Sequence, residues 1–258
     1  AYERARRYRL FDGTLEDFQD ATATPVRALK SARTRALAAA RAIVVPSAYL
    51  AEIAAGWGLD RTRIQVLTNP APPPAELEAE VLEPGTFVFV GRLTEQKALE
   101  VAIEAIARVP AARLLIVGDG PARAGLERAA ASSSAAERVD LLGSRTRDEA
   151  LRIVAGAEAA LLSSAWENLP HSAVEALSLG VPVVSTAVGG VPEIVRDGEN
   201  GLLVPPGRPD ELAAAVRRVL EEPGLRDRLA AAAKPSVEGL SSDEVYAKLE
   251  AVLAGAVR

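Results

Sequence analysis

Two glutamates and two cations carry the chemical interest of this 258-residue chain. Glu167 stands in the run Ser163-Ser164-Ala165-Trp166-Glu167-Asn168-Leu169-Pro170, and seven residues separate it from Glu175. Pro170 suits the first turn of a helix, where its missing N–H costs nothing, so Glu175 is expected about one and a half turns inside that helix. The two carboxylates then straddle a helix N-terminus. The first can accept from hydroxyls near free backbone N–H groups, and the second can hold a vicinal diol such as a ribose. Charge-assisted hydrogen bonds of this kind contribute about 1.5 to 3 kcal/mol each. Upstream, Gly91-Arg92-Leu93 is followed by Lys97 just ahead of a helical stretch. Guanidinium fork, ammonium charge and helix dipole all favour an anion there, and a diphosphate fits that description. Taken singly, each pattern has a plainer reading as a solvated loop or a surface helix.

Other residues narrow the chemistry. Gly118-Asp119-Gly120-Pro121 permits a tight turn and close backbone approach, but its spacing is not the G-x-G-x-x-G of a nicotinamide dinucleotide site. The chain has no Asp-x-Asp, no cysteine and a single histidine, His171, so no metal site is expected. Arg92, Lys97 and a helix N-terminus are left to do the electrostatic work. His171 itself is read as a surface residue in the first turn of its helix.

The elements that must position these groups follow from hydrophobic periodicity. Short apolar runs at 87–90, 114–117, 139–142, 159–162 and 181–184 have buried-strand lengths, and helical stretches lie between them. Strand and helix in turn predict βαβ units, a parallel sheet and ligand binding at the carboxyl ends of its strands. Upstream, 42–45 and 64–67 read as strands around a helix capped by Ser47. The proline-rich run from Asn69 to Pro74 reads as a stiff domain boundary. Downstream, helices are predicted over 210–222, 225–233 and 242–257, and an amphipathic basic helix over 24–41.

Composition excludes several classes. Nearly half the residues are hydrophobic and a quarter charged, without charge blocks or low-complexity tracts, which argues against disorder. The net charge is -5, with nine basic against five acidic residues over 1–41, so the rest of the chain is acidic. That balance argues against a nucleic-acid partner. No apolar run approaches a membrane span. A cytoplasmic location is the default expectation. The basic helix is read as a solvated face, with peripheral contact at the inner face of a membrane as the alternative.

In joint order and spacing the motifs resemble the family-four retaining glycosyltransferases of the GT-B fold. Those residues are Gly91 to Lys97, Gly118 to Pro121, Glu167 with Glu175, Gly189 to Glu193 and Asp197 to Gly201. The resemblance implies an α/β architecture of two Rossmann-like, doubly wound parallel-sheet domains, the first largely missing from this chain. Residues 1–74 are expected to be the end of an acceptor domain, 75–235 a nucleotide-sugar-binding domain, and 236–258 a helix that packs back on the first. It implies a donor, a nucleoside diphosphate sugar, with no separate cofactor. Arg92 and Lys97 would hold the diphosphate, and Glu167 with Asn168, Leu169 and Pro170 would meet the donor sugar. Glu175 would hold the ribose; Gly143, Ser144 and Arg145 would border the base; Gly91 and Gly118 would form the closely approaching backbone. Arg92, Lys97 and Glu167 are the implied catalytic residues. His171 and Ala98, where relatives often have other residues, leave donor preference open, as the sequence leaves the acceptor: a sugar, a lipid carrier or a small molecule. A sugar-nucleotide epimerase and a non-catalytic nucleotide-sugar-binding module are the alternatives, and a nicotinamide-dependent oxidoreductase is poorly matched.

Overall fold

The computed structural model describes residues 20–71 and 77–257. From Pro72 onward the proline-rich run lies outside the described residues until 77. The chain divides into two compact units, one of Asn69–Val245 and one of Ala1–Thr68 with Tyr246–Arg258.

The larger unit is built on strands that are apolar on both faces. These are β3 (Thr86–Val90), β4 (Arg113–Val117), β5 (Val139–Gly143), β6 (Ala159–Leu162), β7 (Val183–Thr186) and β8 (Gly201–Val204). All pair in parallel, in the order β5-β4-β3-β6-β7-β8. Counted from β3, this is the 3-2-1-4-5-6 order of a doubly wound Rossmann-like sheet. The expected α/β class and parallel sheet are what the chain forms. Two details differ from the sequence expectation. The run at 181–184 enters the sheet only at Val183, because Pro182 has no N–H for the ladder. Strand β8 pairs with β7 beyond the strands predicted, following the Asp197–Gly201 turn.

The connections are α3 (Leu99–Ala107), α4 (Arg123–Ser132), α5 (Arg147–Gly156), α6 (His171–Ser178) and the short α7 (Val191–Ile194). They are followed by α8 (Pro209–Glu221) and α9 (Leu225–Ala233). Alternation along each strand divides the core. Phe87 and Phe89 of β3 point to one side, among residues of α3, α4, α8 and α9. Val88 points to the other, with Ile153 and Val154 of α5, Val174 and Leu177 of α6 and Val191 of α7. Each fully buried side chain of this size contributes about 1.5 to 3 kcal/mol, so both faces hold the strand ends firmly.

In the smaller unit β1 (Ile43–Val45) and β2 (Ile64–Val66) pair in parallel. They are joined through α2 (Ala48–Gly56), whose N-cap Ser47 side chain accepts from the Leu50 N–H at 3.1 Å. The basic helix α1 spans Thr24–Ala38, three residues shorter than predicted. Its basic face is not wholly solvated: the Arg33 guanidinium lies 3.4 Å over the Trp57 ring centroid, and burial lowers its pKa to about 10. The last helix, α10, spans Ser242–Val257. Among the described residues no helix is long and apolar enough to cross a membrane.

Candidate functional site

In a parallel sheet every strand's carboxyl end lies on one edge. Loops after β3, β4, β5 and β6 therefore share that edge, and the chain reverses its winding between β3 and β6. Such a switch point opens a crevice for ligands. The four loops carry the residues singled out by spacing.

The loop after β3 holds Gly91, Arg92 and Lys97. Gly91 N–H bonds the Val117 carbonyl at 3.0 Å, and Leu93 N–H bonds the Asp119 carbonyl at 3.0 Å, which ties this loop to the one after β4. Gly118 closes the contact. Its φ is +135°, and a Cβ there would lie 1.9 Å from the Gly91 carbonyl oxygen, so only glycine fits. Gly118 N–H in turn bonds the Gly143 carbonyl at 2.9 Å, linking the ends of β4 and β5. Gly143, at φ +74°, ends β5. Ser144 and Arg145 follow it and are exposed.

Across the switch point the loop after β6 meets the loop after β3 directly. Glu167 is 5 % exposed, and its Oε1 lies 2.5 Å from Lys97 Nζ and 2.7 Å from Ser164 Oγ. Gln96 Nε2 approaches Glu167 Oε2 at 3.4 Å and bonds the Trp166 carbonyl at 3.0 Å. The Ser163 hydroxyl donates to the carbonyls of Lys97 and Ala98, at 2.9 and 3.0 Å. Ala98 is the one described non-glycine residue at positive φ, +44°, and caps the start of α3. Arg92 is exposed on the same loop, with no hydrogen bond or ion pair to a described residue.

A third loop supports Glu167 from beneath. Gly189, at φ +56°, approaches so closely that a Cβ would lie 1.7 Å from the Glu167 carbonyl oxygen. Gly190 N–H bonds the Asn168 carbonyl at 2.8 Å, and the Thr186 hydroxyl bonds the Ser164 carbonyl at 2.7 Å. Leu169 and Pro170 are buried. Pro170 is the N-cap of α6 rather than part of its first turn, because its ψ of 117° is extended. His171 opens the helix and is exposed.

Glu175 lies one turn into α6 and is partly exposed. Its Oε1 accepts from Nε of Arg147, the first residue of α5, at 3.1 Å, and an Nη of the same guanidinium lies 3.0 Å away. The structure thus joins Lys97 to Glu167 by direct contact and brings the backbones of Gly91, Gly118 and Gly143 into one bonded series. Arg92, Glu175, Ser144 and Arg145 are not bonded to these residues. Sequence reasoning did not single out Gln96, Ser164 or Arg147. The Thr146-x-x-Glu149 capping signature, which puts Arg147 at the start of a helix, was the one local signal for it.

Residues 76–235 match the protein family described as glycosyl transferases group 1, more than half of the chain. The chain belongs to the group 1 glycosyl transferases. This glycosyl transferase is 37 % identical over 138 residues to a 2-deoxystreptamine glucosyltransferase of Streptomyces kanamyceticus, covering 52 % of this chain and 36 % of the relative. It is also 37 % identical over 138 residues to a D-inositol 3-phosphate glycosyltransferase of Mycobacteroides abscessus, covering 51 % and 31 % respectively. The chain spans about a third of the length of these curated relatives. Among solved structures, a sucrose-phosphate synthase from Thermosynechococcus elongatus superposes with a TM-score of 0.82 at 22 % identity, over 94 % of this chain and 66 % of that one. Anabaena HepE in complex with UDP-glucose superposes with a TM-score of 0.80 at 21 % identity, over 88 % and 67 %. At such identities the likeness is one of fold: the glycosyl transferase shares the Rossmann-like architecture of GT-B proteins.

Proposed function

We propose that this glycosyl transferase moves a sugar from a nucleoside diphosphate to an acceptor hydroxyl, with retained anomeric configuration and without a metal ion. Residues 1–74 would belong to the acceptor side and 75–235 to the donor side. The observation that carries the reading is the Lys97–Glu167 ion pair at the sheet's switch point, with Arg92 exposed on the same loop. An ammonium and a guanidinium beside a helix start can bind a diphosphate and stabilise the charge that grows as it leaves. Glu167, with Asn168, Leu169 and Pro170, would receive the sugar hydroxyls. Glu175 would hold the ribose, while Gly143, Ser144 and Arg145 border the base.

In this reaction the bond from the sugar C1 to the diphosphate oxygen breaks, and its electron pair leaves with the nucleoside diphosphate. The acceptor oxygen bonds C1 on the same face, and its proton passes to the departing phosphate. Front-face departure and attack needs no carboxylate as a covalent nucleophile. HepE, solved with UDP-glucose, supports a UDP-linked sugar as the first donor to try. The compounds in two relatives' names, 2-deoxystreptamine and inositol 3-phosphate, are the first acceptors.

The test is product analysis after incubation with labelled UDP-, GDP- and ADP-sugars, acceptors and EDTA. Release of nucleoside diphosphate with a glycosylated acceptor of unchanged anomeric configuration is expected, undiminished by EDTA. A changed nucleotide sugar without an acceptor product would mark an epimerase. Donor binding without turnover would mark a binding module, and inverted product would contradict retention.

A further inference from the structure

Arg147 lies outside the residues that sequence reasoning assigned to the donor, yet it is bonded to one of them. Its Nε donates to Oε1 of Glu175 at 3.1 Å and an Nη lies 3.0 Å from the same oxygen, while Oε2 takes no hydrogen bond from a described residue. The guanidinium therefore engages one carboxylate oxygen and leaves the other for an incoming donor. Both side chains keep some exposure, 47 % for Arg147 and 26 % for Glu175, so a ligand can reach the pair.

The position of Arg147 is fixed and electrostatically unusual. Thr146 and Glu149 form a complete capping box at the start of α5: Glu149 N–H donates to the Thr146 hydroxyl, and Thr146 N–H and hydroxyl donate to Glu149 Oε2, both at 2.8 Å. The backbone hydrogen bond from Thr146, and then that from its hydroxyl, lower the Glu149 pKa below the usual carboxylate value. A cation at the first helical position opposes the helix dipole, which favours acids there. Helix stability alone gives no reason for an arginine at this place. The segment that leads to it, Ser144 to Thr146, leaves the carboxyl end of β5, on the same edge as the other donor loops.

We infer that Arg147 is a positioning residue for nucleotide recognition: it holds Glu175 by one oxygen so that the other accepts a ribose hydroxyl. This rests on the ribose role proposed for Glu175. An exposed ion pair of merely structural kind contributes little, and its loss would affect every ligand alike.

The experiment uses the 258-residue chain and isothermal titration with three probes. These are whichever of UDP, GDP and ADP binds most tightly, its 2′,3′-dideoxy counterpart, and inorganic pyrophosphate. The unaltered protein is expected to prefer the ribonucleotide over the dideoxy form. Arg147→Ala should lower that preference about fivefold, a change equivalent to one weakened hydrogen bond, with pyrophosphate binding unchanged. Arg147→Lys, which keeps the charge but not the fork, should recover part of it. Retention of the full preference by Arg147→Ala, or equal losses for both nucleotides, overturns the inference. Glu175→Ala separates the two levels. If it abolishes the preference while Arg147→Ala keeps it, only the role of Arg147 fails. If Glu175→Ala keeps the preference, the ribose reading fails and the inference with it.

Discussion

Glu167 is a charged group almost removed from water, and that costs free energy unless the charge is paired and hydrogen-bonded. Lys97 and Ser164 supply both. The pair has a chemical consequence in the proposed reaction. A diphosphate arriving at Lys97 meets an ammonium that already leans on the carboxylate proposed to receive the sugar, so donor and sugar contacts are linked through one side chain. Lys97→Ala would leave Glu167 buried without its cation. We expect a stability loss of about 2 to 3 kcal/mol, below that of a wholly buried pair because Lys97 keeps 18 % exposure. Sugar transfer should fall about 100-fold or more, and a stability loss with unimpaired transfer would remove Lys97 from the mechanism. Ala98, beside it, carries a backbone conformation that costs an L-residue about 1 to 2 kcal/mol. Ala98→Gly should raise the melting temperature by about 2 to 4 °C, less if the unfolded chain's added freedom offsets the relief. No rise would mean that the added freedom of the unfolded chain cancels the relief.

At the scale of elements, the site is made by loops that touch through their backbones. Gly118 shows how tight the fit is, since its Cβ would overlap the Gly91 carbonyl. Gly118→Ala should cost about 2 to 4 kcal/mol in urea unfolding. Gly207, at φ +67° with nothing within 4 Å of an added Cβ, is the control, and Gly207→Ala should cost only about 1 kcal/mol. Equal losses would show that backbone conformation alone, and not the loop contact, sets the cost. The strands themselves were readable because burial on both faces leaves an unbroken apolar run, as in Phe87 to Val90. Strand β8 was not. Gly201-Leu202-Leu203-Val204 begins with the last residue of a turn and runs straight into Pro205, so only three apolar residues stand between two breakers, and the β7 ladder is what shows the strand. The two-residue displacement of β7 has a local cause that could have been read, the proline at 182.

At the scale of the molecule, the sheet order does what no single motif can. The sequence supplies each loop's residues, but the reversal between β3 and β6 is what sets Lys97 against Glu167, seventy residues apart. Joint spacing, as a family resemblance, pointed both residues at one donor, but their direct bond was not legible. The Arg147–Glu175 bond was not legible, because it depends on how α5 and α6 pack over the sheet and no periodicity reports that. In the proposed function one crevice gathers Arg92, Lys97, Glu167 and Glu175 around a sugar nucleotide. A crystal structure of this chain soaked with a nucleoside diphosphate sugar in EDTA tests it most directly. A diphosphate is expected within hydrogen-bonding reach of Arg92 and Lys97, with sugar hydroxyls on Glu167 and ribose on Glu175. A nucleotide bound elsewhere, or one seated here with its diphosphate turned away from both cations, would contradict it.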